Sequence, residues 1–289
     1  QERYDQMSGK LFNQAASIAA NKKDGGGYSV WYSFIRRWPS AAFRPDVLSY
    51  KSYYQYPMEA AINSQAGETL PKEDKLLAIV QENIHRGRKT LVYVEQTGTR
   101  DIRTRLLELL QQVGIRAELL NSSMKAAKRE KWIKENSSQL DVLIVNPALV
   151  ETGLDLVMFS TIIFYEIGDK AARMAQAMMR VCRLGQKNEV DVHYLVWNKT
   201  AESTIFQEIG KALKQMKVLA GDEAIGALME DDDDDDMRRR MIQMAMSGVG
   251  YQDLGELFGE DFTMFGEVFE DDGGYGSDED EEDEGPELN

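Results

Sequence analysis

The chain has 289 residues, 43% hydrophobic and 29% charged, long enough to bury about three quarters of the surface that its unfolded form exposes. One Cys and two His exclude a disulfide framework and leave too few soft ligands for a structural zinc, so no metal site is expected. The net charge of -15 belongs to one end: residues 230–289 carry 23 acidic and 3 basic side chains, which leaves the first 229 residues at +5, with 31 basic against 26 acidic. A polyanionic partner is therefore excluded for the tail and open for the body. No apolar run approaches the roughly 18 residues of a membrane helix, so no membrane partner is expected. Gln1-Glu2-Arg3-Tyr4 opens neither a signal peptide nor a natural reading frame. The expectation is a piece of an intracellular protein, cytoplasmic or in the nucleoid, or nuclear if the source is eukaryotic.

Residues 1–71 form an aromatic-rich linker or helical segment, with Trp31, Tyr32, Phe34 and Trp38 among its rings and turn signals at Gly25-Gly26-Gly27, Pro39, Pro45 and Pro57. Arg36-Arg37-Trp38 joins charge to a stacking face, which suits nucleic acid, while the density of rings reads as core packing. Over 72–220 helical periodicity alternates with short apolar runs. Helices are expected over 72–86, 101–113, 125–135, 171–184 and 201–218, and strands over 90–94, 117–120, 142–145, 161–165 and 190–196. Strand, helix, strand at this spacing predicts a parallel sheet with right-handed crossovers, hence a three-layer α/β fold whose ligands bind beyond the carboxyl ends of the strands. Residues 221–289 form an acidic tail, expected to be largely disordered because its two runs, 231–236 and 278–284, repel themselves. A Met- and Phe-bearing island over 237–269 is suited to anchor the tail through Met241, Met244, Leu257 and Phe258.

Chemistry concentrates in Gln176-Ala177-Met178-Met179-Arg180-Val181-Cys182-Arg183-Leu184-Gly185-Gln186. Arg180 and Arg183 stand three apart, so on a helix they share a face and present two guanidinium forks to one anion. On spacing alone, two such arginines on a helix are usually surface ion pairs. The whole segment, however, resembles the last helicase motif of superfamily 2 in its Swi/Snf form, Gln-Ala-x-x-Arg-x-x-Arg-x-Gly-Gln, and meets every fixed position. Cys182 stands where the family has His and is expected to be a buried, inert thiol. Upstream, 142–156 resembles the preceding family motif, with Glu151-Thr152-Gly153-Leu154-Asp155-Leu156 at its centre; Asn146 and Pro147 replace the usual Ser/Thr, and Val150 and Glu151 replace Gly. The stretch Leu91-Val92-Tyr93-Val94-Glu95-Gln96-Thr97 resembles the first motif of the same lobe, ending before a helix from Asp101 whose free N–H groups suit a phosphate. Ser122 and Ser123 fit helix caps better than DNA contacts.

The resemblance implies the C-terminal, RecA-like lobe of a DNA-dependent ATPase or translocase. Arg180 and Arg183 would contact the triphosphate as arginine fingers, and Gln176 would position them. Gly153 would admit a close backbone and Asp155 would accept from a ribose hydroxyl. Gln96, Thr97, Asn146 and Thr152 would touch the nucleic-acid backbone. ATP and Mg2+ are implied only together with a missing N-terminal lobe, and the expected partners are that lobe and double-stranded DNA. Gly87-Arg88-Lys89-Thr90 is no phosphate loop, because Glu82 stands where a Gly is needed. Asp222-Glu223-Ala224-Ile225 follows no strand and is no magnesium box. The alternative is a non-catalytic nucleic-acid-binding or scaffolding α/β module.

Overall fold

A computed structural model describes residues 2–22, 26–50, 54–120, 123–150, 154–168 and 170–210. The acidic tail with its expected disorder and its island, the 211–218 part of the last expected helix, and the 222–225 segment lie outside the described residues.

The N-terminal segment holds helices α1 (Glu2–Lys22) and α2 (Gly26–Ala41), followed by an antiparallel pair, β1 (Asp46–Tyr50) and β2 (Tyr54–Met58), in which Leu48 faces Tyr56. The pair was not anticipated from sequence. The aromatic residues are core: Trp31, Tyr32, Phe34 and Trp38 are all buried. Arg37 is buried too and donates to Asp46 at 3.0 Å, so the Arg-Arg-Trp run packs rather than offering a free stacking face.

Then come α3 (Pro71–His85), β3 (Thr90–Tyr93), α4 (Arg103–Gln112), β4 (Ala117–Leu119), α5 (Ala126–Asn136), β5 (Val142–Val145), β6 (Thr161–Phe164), α6 (Ala171–Met179), β7 (Asp191–Tyr194) and a helical run over 201–210, here α7. The five strands β3 to β7 pair in parallel in the order β4-β5-β3-β6-β7, the expected three-layer parallel α/β architecture. Strand period two explains the layers. Val92, Val142, Ile144 and Ile163 pack with Leu76, Val80, Leu106 and Leu110 of α3 and α4. Leu91, Tyr93, Leu143, Val145, Ile162 and Phe164 face the other way, into one core with α1, α2, α6 and α7. The Gly-Arg-Lys-Thr run has a structural role: Gly87, at φ +68, ends α3, and Lys89 donates to the carbonyls of Ser137 and Leu140.

A buried ion pair ties the two ends of this lobe together. Lys72 at the start of α3 donates to Glu202 of α7 at 2.7 Å and to Ser40 of α2 at 3.0 Å, with side chains only 2% and 3% exposed for the ion pair. Glu202 also accepts from the backbone N–H of Trp197 at 3.0 Å. Removing one buried charge strands the other. Lys72→Met is expected to destabilise the protein by about 3–5 kcal/mol, read as a lower urea midpoint, and Lys72→Met/Glu202→Gln to recover most of that loss because the second neutral side chain still accepts from Trp197.

Candidate functional site

The arginine segment begins on α6 and leaves it early. The expected helix over 171–184 ends at Met179, so Arg180 and Arg183 do not share a continuous helical face. The cause is tertiary: the Arg180 carbonyl, which would accept from residue 184 in a longer helix, accepts instead from the backbone N–H of Leu156 at 3.0 Å. Residues 180–185 form turns that close on Gly185 at φ +103. Arg183 and Leu184 are exposed, Leu184 fully, and Cys182 is exposed as well, against the expectation of a buried thiol.

Gln176 sits half-buried one turn before Arg180. Arg180 is half-buried, and burial first, then the neighbouring charge of Arg183, push its guanidinium below the usual arginine value. The two guanidiniums are thus within electrostatic reach of each other. The parallel pairing of β6 and β7 obliges their connection to return across the sheet. Gln186, ending the segment, donates to the Phe159 carbonyl at 2.9 Å, just ahead of β6. The arginines therefore lie on this return path rather than at the carboxyl ends of the strands.

Opposite Arg180 lies the 154–160 loop. Asp155 in it carries a buried Oδ1 with no hydrogen-bond partner among the described residues. That is an acceptor lacking a donor. Thr152 and Gly153 lie outside the described residues.

A second group gathers at the carboxyl ends of β3, β5 and β6. Thr97 is exposed and Gln96 half-buried. Asn146, 7% exposed, donates from Nδ2 to the carbonyls of Val94 at 3.1 Å and Glu95 at 2.7 Å and accepts from the N–H of Ala148 at 3.0 Å. Its amide is spent on holding the loop that carries Gln96 and Thr97. The helix beyond starts at Arg103, two residues later than expected. Asp101 accepts from the Arg103 N–H at 2.9 Å and from its guanidinium at 2.6 Å, so a carboxylate already occupies part of the expected phosphate position. Burial opposes ionisation of Asp101, yet the Arg103 hydrogen bonds hold it below the usual carboxylate range. At α5 the residue before the helix is Lys125, whose own side chain makes no cap hydrogen bond; Ser122 lies outside the described residues.

Beside Thr97 opens a polar cleft of about 390 Å³, lined by Arg37, Arg44, Thr99, Arg100 and Glu166 among others. Arg44 donates to the Thr99 carbonyl at 3.3 Å. Sequence inspection missed Arg44, Arg100 and Glu166 because no local spacing links them. Glu166 accepts from the N–H of Gln96 at 2.8 Å. Burial nevertheless raises its carboxyl from 4.5 to about 7, with the Gln96 bond and Lys72 opposing. Among the described residues no cluster of His, Cys, Asp and Glu is able to hold a metal ion, and no helix is long and apolar enough to cross a membrane.

The sequence profile of the helicase conserved C-terminal domain matches residues 71–185, from the first residue of α3 through the arginine turn. The chromatin-remodeling ATPase INO80 of Schizosaccharomyces pombe is 29% identical over 157 residues, 53% of this chain and 9% of that protein. Its namesake in Kluyveromyces lactis is 31% identical over 157 residues, 53% of this chain and 10% of that protein. Residues 71–185 match the helicase conserved C-terminal domain and are similar to the corresponding part of Swi/Snf-type ATPases. A TATA-binding protein-associated factor, BTAF1 of Arabidopsis thaliana, is 28% identical over 58% of this chain and 8% of its own length. The chain spans about a tenth of the length of the curated relatives it matches. A crystal structure of the C-terminal part of the Fun30 ATPase domain aligns with a TM-score of 0.46 at 18% identity, over 62% of this chain and 55% of that one.

In this helicase C-terminal domain, Glu166 makes stability depend on pH. The folded chain holds the Glu166 proton up to about pH 7, whereas the unfolded chain releases it near 4.5, so the folded state binds more protons between these values and loses stability as pH rises through them. Relative to Glu166→Gln, the unmodified protein is expected to lose on the order of 3 kcal/mol across that window and nothing further above it. Urea midpoints of both proteins at pH 5 and pH 8 check this; parallel changes would contradict it.

Proposed function

We propose that this lobe is half of an ATP-dependent DNA translocase whose other half is an N-terminal lobe on a longer chain. The observation that carries the proposal is the hydrogen bond from Leu156 N–H to the Arg180 carbonyl. It joins the loop bearing Asp155 to the turn bearing Arg180 and Arg183, the two segments that nucleotide chemistry needs side by side.

In this reading Arg180 and Arg183 aim planar guanidinium forks at a triphosphate, and Gln176 positions them. Asp155 Oδ1 and the backbone at Gly153 receive the ribose. Bound ATP with its Mg2+ supplies the transferable phosphoryl group. The residues of this chain meet the charge that spreads over the equatorial phosphoryl oxygens, and they do so from a turn already fixed by main-chain bonds. Fixed donors need little reorganisation at the moment of reaction.

Nucleic acid runs, in the same reading, over the carboxyl ends of β3 and β5, where Gln96 and Thr97 offer short polar contacts; Thr152, outside the described residues, is proposed as a further contact from sequence alone. Asn146 contributes there by holding the loop. Arg44 and Arg100 add positive charge at the rim of the polar cleft, and the net charge of +5 over residues 1–229 favours a polyanion. Double-stranded DNA is the substrate proposed, and an intracellular setting follows from it.

Kinetics on the complete protein test this. Arg183→Ala is expected to lower kcat by about 10³ with a smaller change in KM, and Arg183→Lys to rescue poorly because an ammonium lacks the planar fork. Near-normal kcat in both Arg180→Ala and Arg183→Ala would instead favour a non-catalytic scaffolding module.

A further inference from the structure

The polar cleft of about 390 Å³ beyond the carboxyl ends of β3 and β6 gathers arginines from segments far apart in the chain. Arg37 comes from α2, Arg44 from the turn ahead of β1 and Arg100 from the loop after β3. They differ in how their charge is met. Arg37 donates to Asp46 at 3.0 Å, and Asp46 accepts the Val47 N–H at 2.7 Å on its other oxygen, so this cation and this carboxylate neutralise each other. Arg44 donates to two main-chain carbonyls, Thr99 at 3.3 Å and Asp101 at 3.5 Å, which fixes the turn that carries Arg100 and leaves the Arg44 charge without an ion pair among the described residues. Arg100 is exposed, and its side chain makes neither hydrogen bond nor ion pair among the described residues. The cations crowd one another: burial first holds Arg37 below the usual arginine value, Asp46 opposes, and Arg100 and Arg36 add to the depression. The remaining acid in the wall is Glu166, which accepts the Gln96 N–H at 2.8 Å. Burial raises its carboxyl to about 7 against the Gln96 bond and Lys72, with Glu202 adding to the rise and Arg36 opposing it, so below pH 7 it keeps a proton to donate.

Guanidiniums that converge on a concave wall without carboxylate partners focus a positive potential there, and an anion relieves it. We propose that this cleft holds one phosphate of a bound nucleic-acid strand between Arg44 and Arg100. The inference rests on the nucleic-acid reading above and adds to it a contact lying partly outside the profile-matched span, since Arg37, Arg44 and Asp46 precede residues 71–185. Position favours a strand phosphate. Thr99 and Arg100 follow Gln96 and Thr97 directly in the chain, and Gln96 is tied to Glu166 in the cleft wall, so a strand crossing the end of β3 passes the mouth of the cleft. Chemistry favours it as well, because the planar forks of two arginines match phosphate oxygens. Protonated Glu166 adds a third donor; ionised, it would repel the same group. A contact of this kind positions the strand without reading its sequence.

The test is the salt dependence of duplex DNA binding at pH 6, read by fluorescence anisotropy of a labelled duplex, for the unmodified 289-residue chain, Arg100→Ala and Arg86→Ala. Arg100 gives up no protein contact among the described residues, so its removal leaves the fold in place. Arg86 lies ahead of β3, at the other end of the sheet, and its partner Asp191 keeps Arg88; Arg86→Ala therefore removes the same unit of charge away from the cleft. Arg100→Ala is expected to weaken binding several-fold at low salt, alike for unrelated duplex sequences, and to reduce the slope of log affinity against log salt by about 0.9, the share of one phosphate. Arg86→Ala is expected to keep the slope. An equal fall in both variants would overturn the inference, because the loss would then follow net charge. An unchanged slope in Arg100→Ala would overturn it too and leave DNA binding by the lobe standing; inorganic phosphate that then raised the melting temperature of the unmodified chain but not of Arg100→Ala would assign the cleft to free phosphate. No DNA binding by the unmodified chain at any salt concentration would overturn both this inference and the reading on which it rests.

Discussion

The hydrogen bond between Leu156 N–H and the Arg180 carbonyl fixes the geometry on which the arginine turn depends. A helical carbonyl can serve the next turn or a neighbouring segment, and here it serves the 154–160 loop. The helix stops, residues 181–185 turn outward, and Arg183 and Leu184 reach the surface. Gln186 secures the far side by donating to the carbonyls of Phe159 and Val181 and accepting from the N–H groups of Lys187 and Asn188. A single amide side chain thereby satisfies four backbone groups in a segment without regular structure.

The sheet supplies the platform beneath. Tyr93, Phe164 and Tyr194 occupy matching positions on the adjacent strands β3, β6 and β7 and stack with centroids 5.1 Å apart, and Phe206 of α7 closes the row at 5.0 Å from Tyr194. Their hydroxyls face α6: Tyr93 donates to the Ala177 carbonyl at 3.2 Å and Tyr194 to the Met178 sulfur at 3.3 Å. The same rings that fill the core therefore orient the helix that delivers the arginines. Burial drives both Tyr hydroxyls to hold their protons well above the usual phenol range, so they remain donors. In the same layer, the Lys72–Glu202 pair, with Lys72 also bonded to Ser40, and the Tyr4 hydroxyl bond to Ala201 bind the N-terminal helices to α7.

The alternation of apolar runs and amphipathic stretches was enough to read the parallel sheet and the helix between each pair of strands, because strand period and helix period are local properties. The arginine motif was legible for the same reason: its residues are contiguous. The end of α6 was not, since Met178, Met179 and Val181 continue a plausible helical face and only the tertiary acceptor role of Arg180 interrupts it. The resemblance implies a nucleic-acid contact for Asn146; the two carbonyls that its Nδ2 serves come from the neighbouring strand end, about fifty residues earlier in the chain, and no local pattern announces them. Glu166 gave no signal because its raised carboxyl depends on burial beneath groups from distant parts of the chain. The β1–β2 pair was hidden by a run of tyrosines that alternates too weakly to declare a face.

In the proposed function these 289 residues are one half of a shared nucleotide site: the arginines and the Asp155 loop are present, while no phosphate loop or magnesium-binding acidic box occurs in the sequence. Phosphate release from ATP by this chain, with and without duplex DNA, tests that claim most directly. No release above the protein-free rate is expected under either condition; a robust DNA-stimulated rate from this chain alone would overturn the half-site reading.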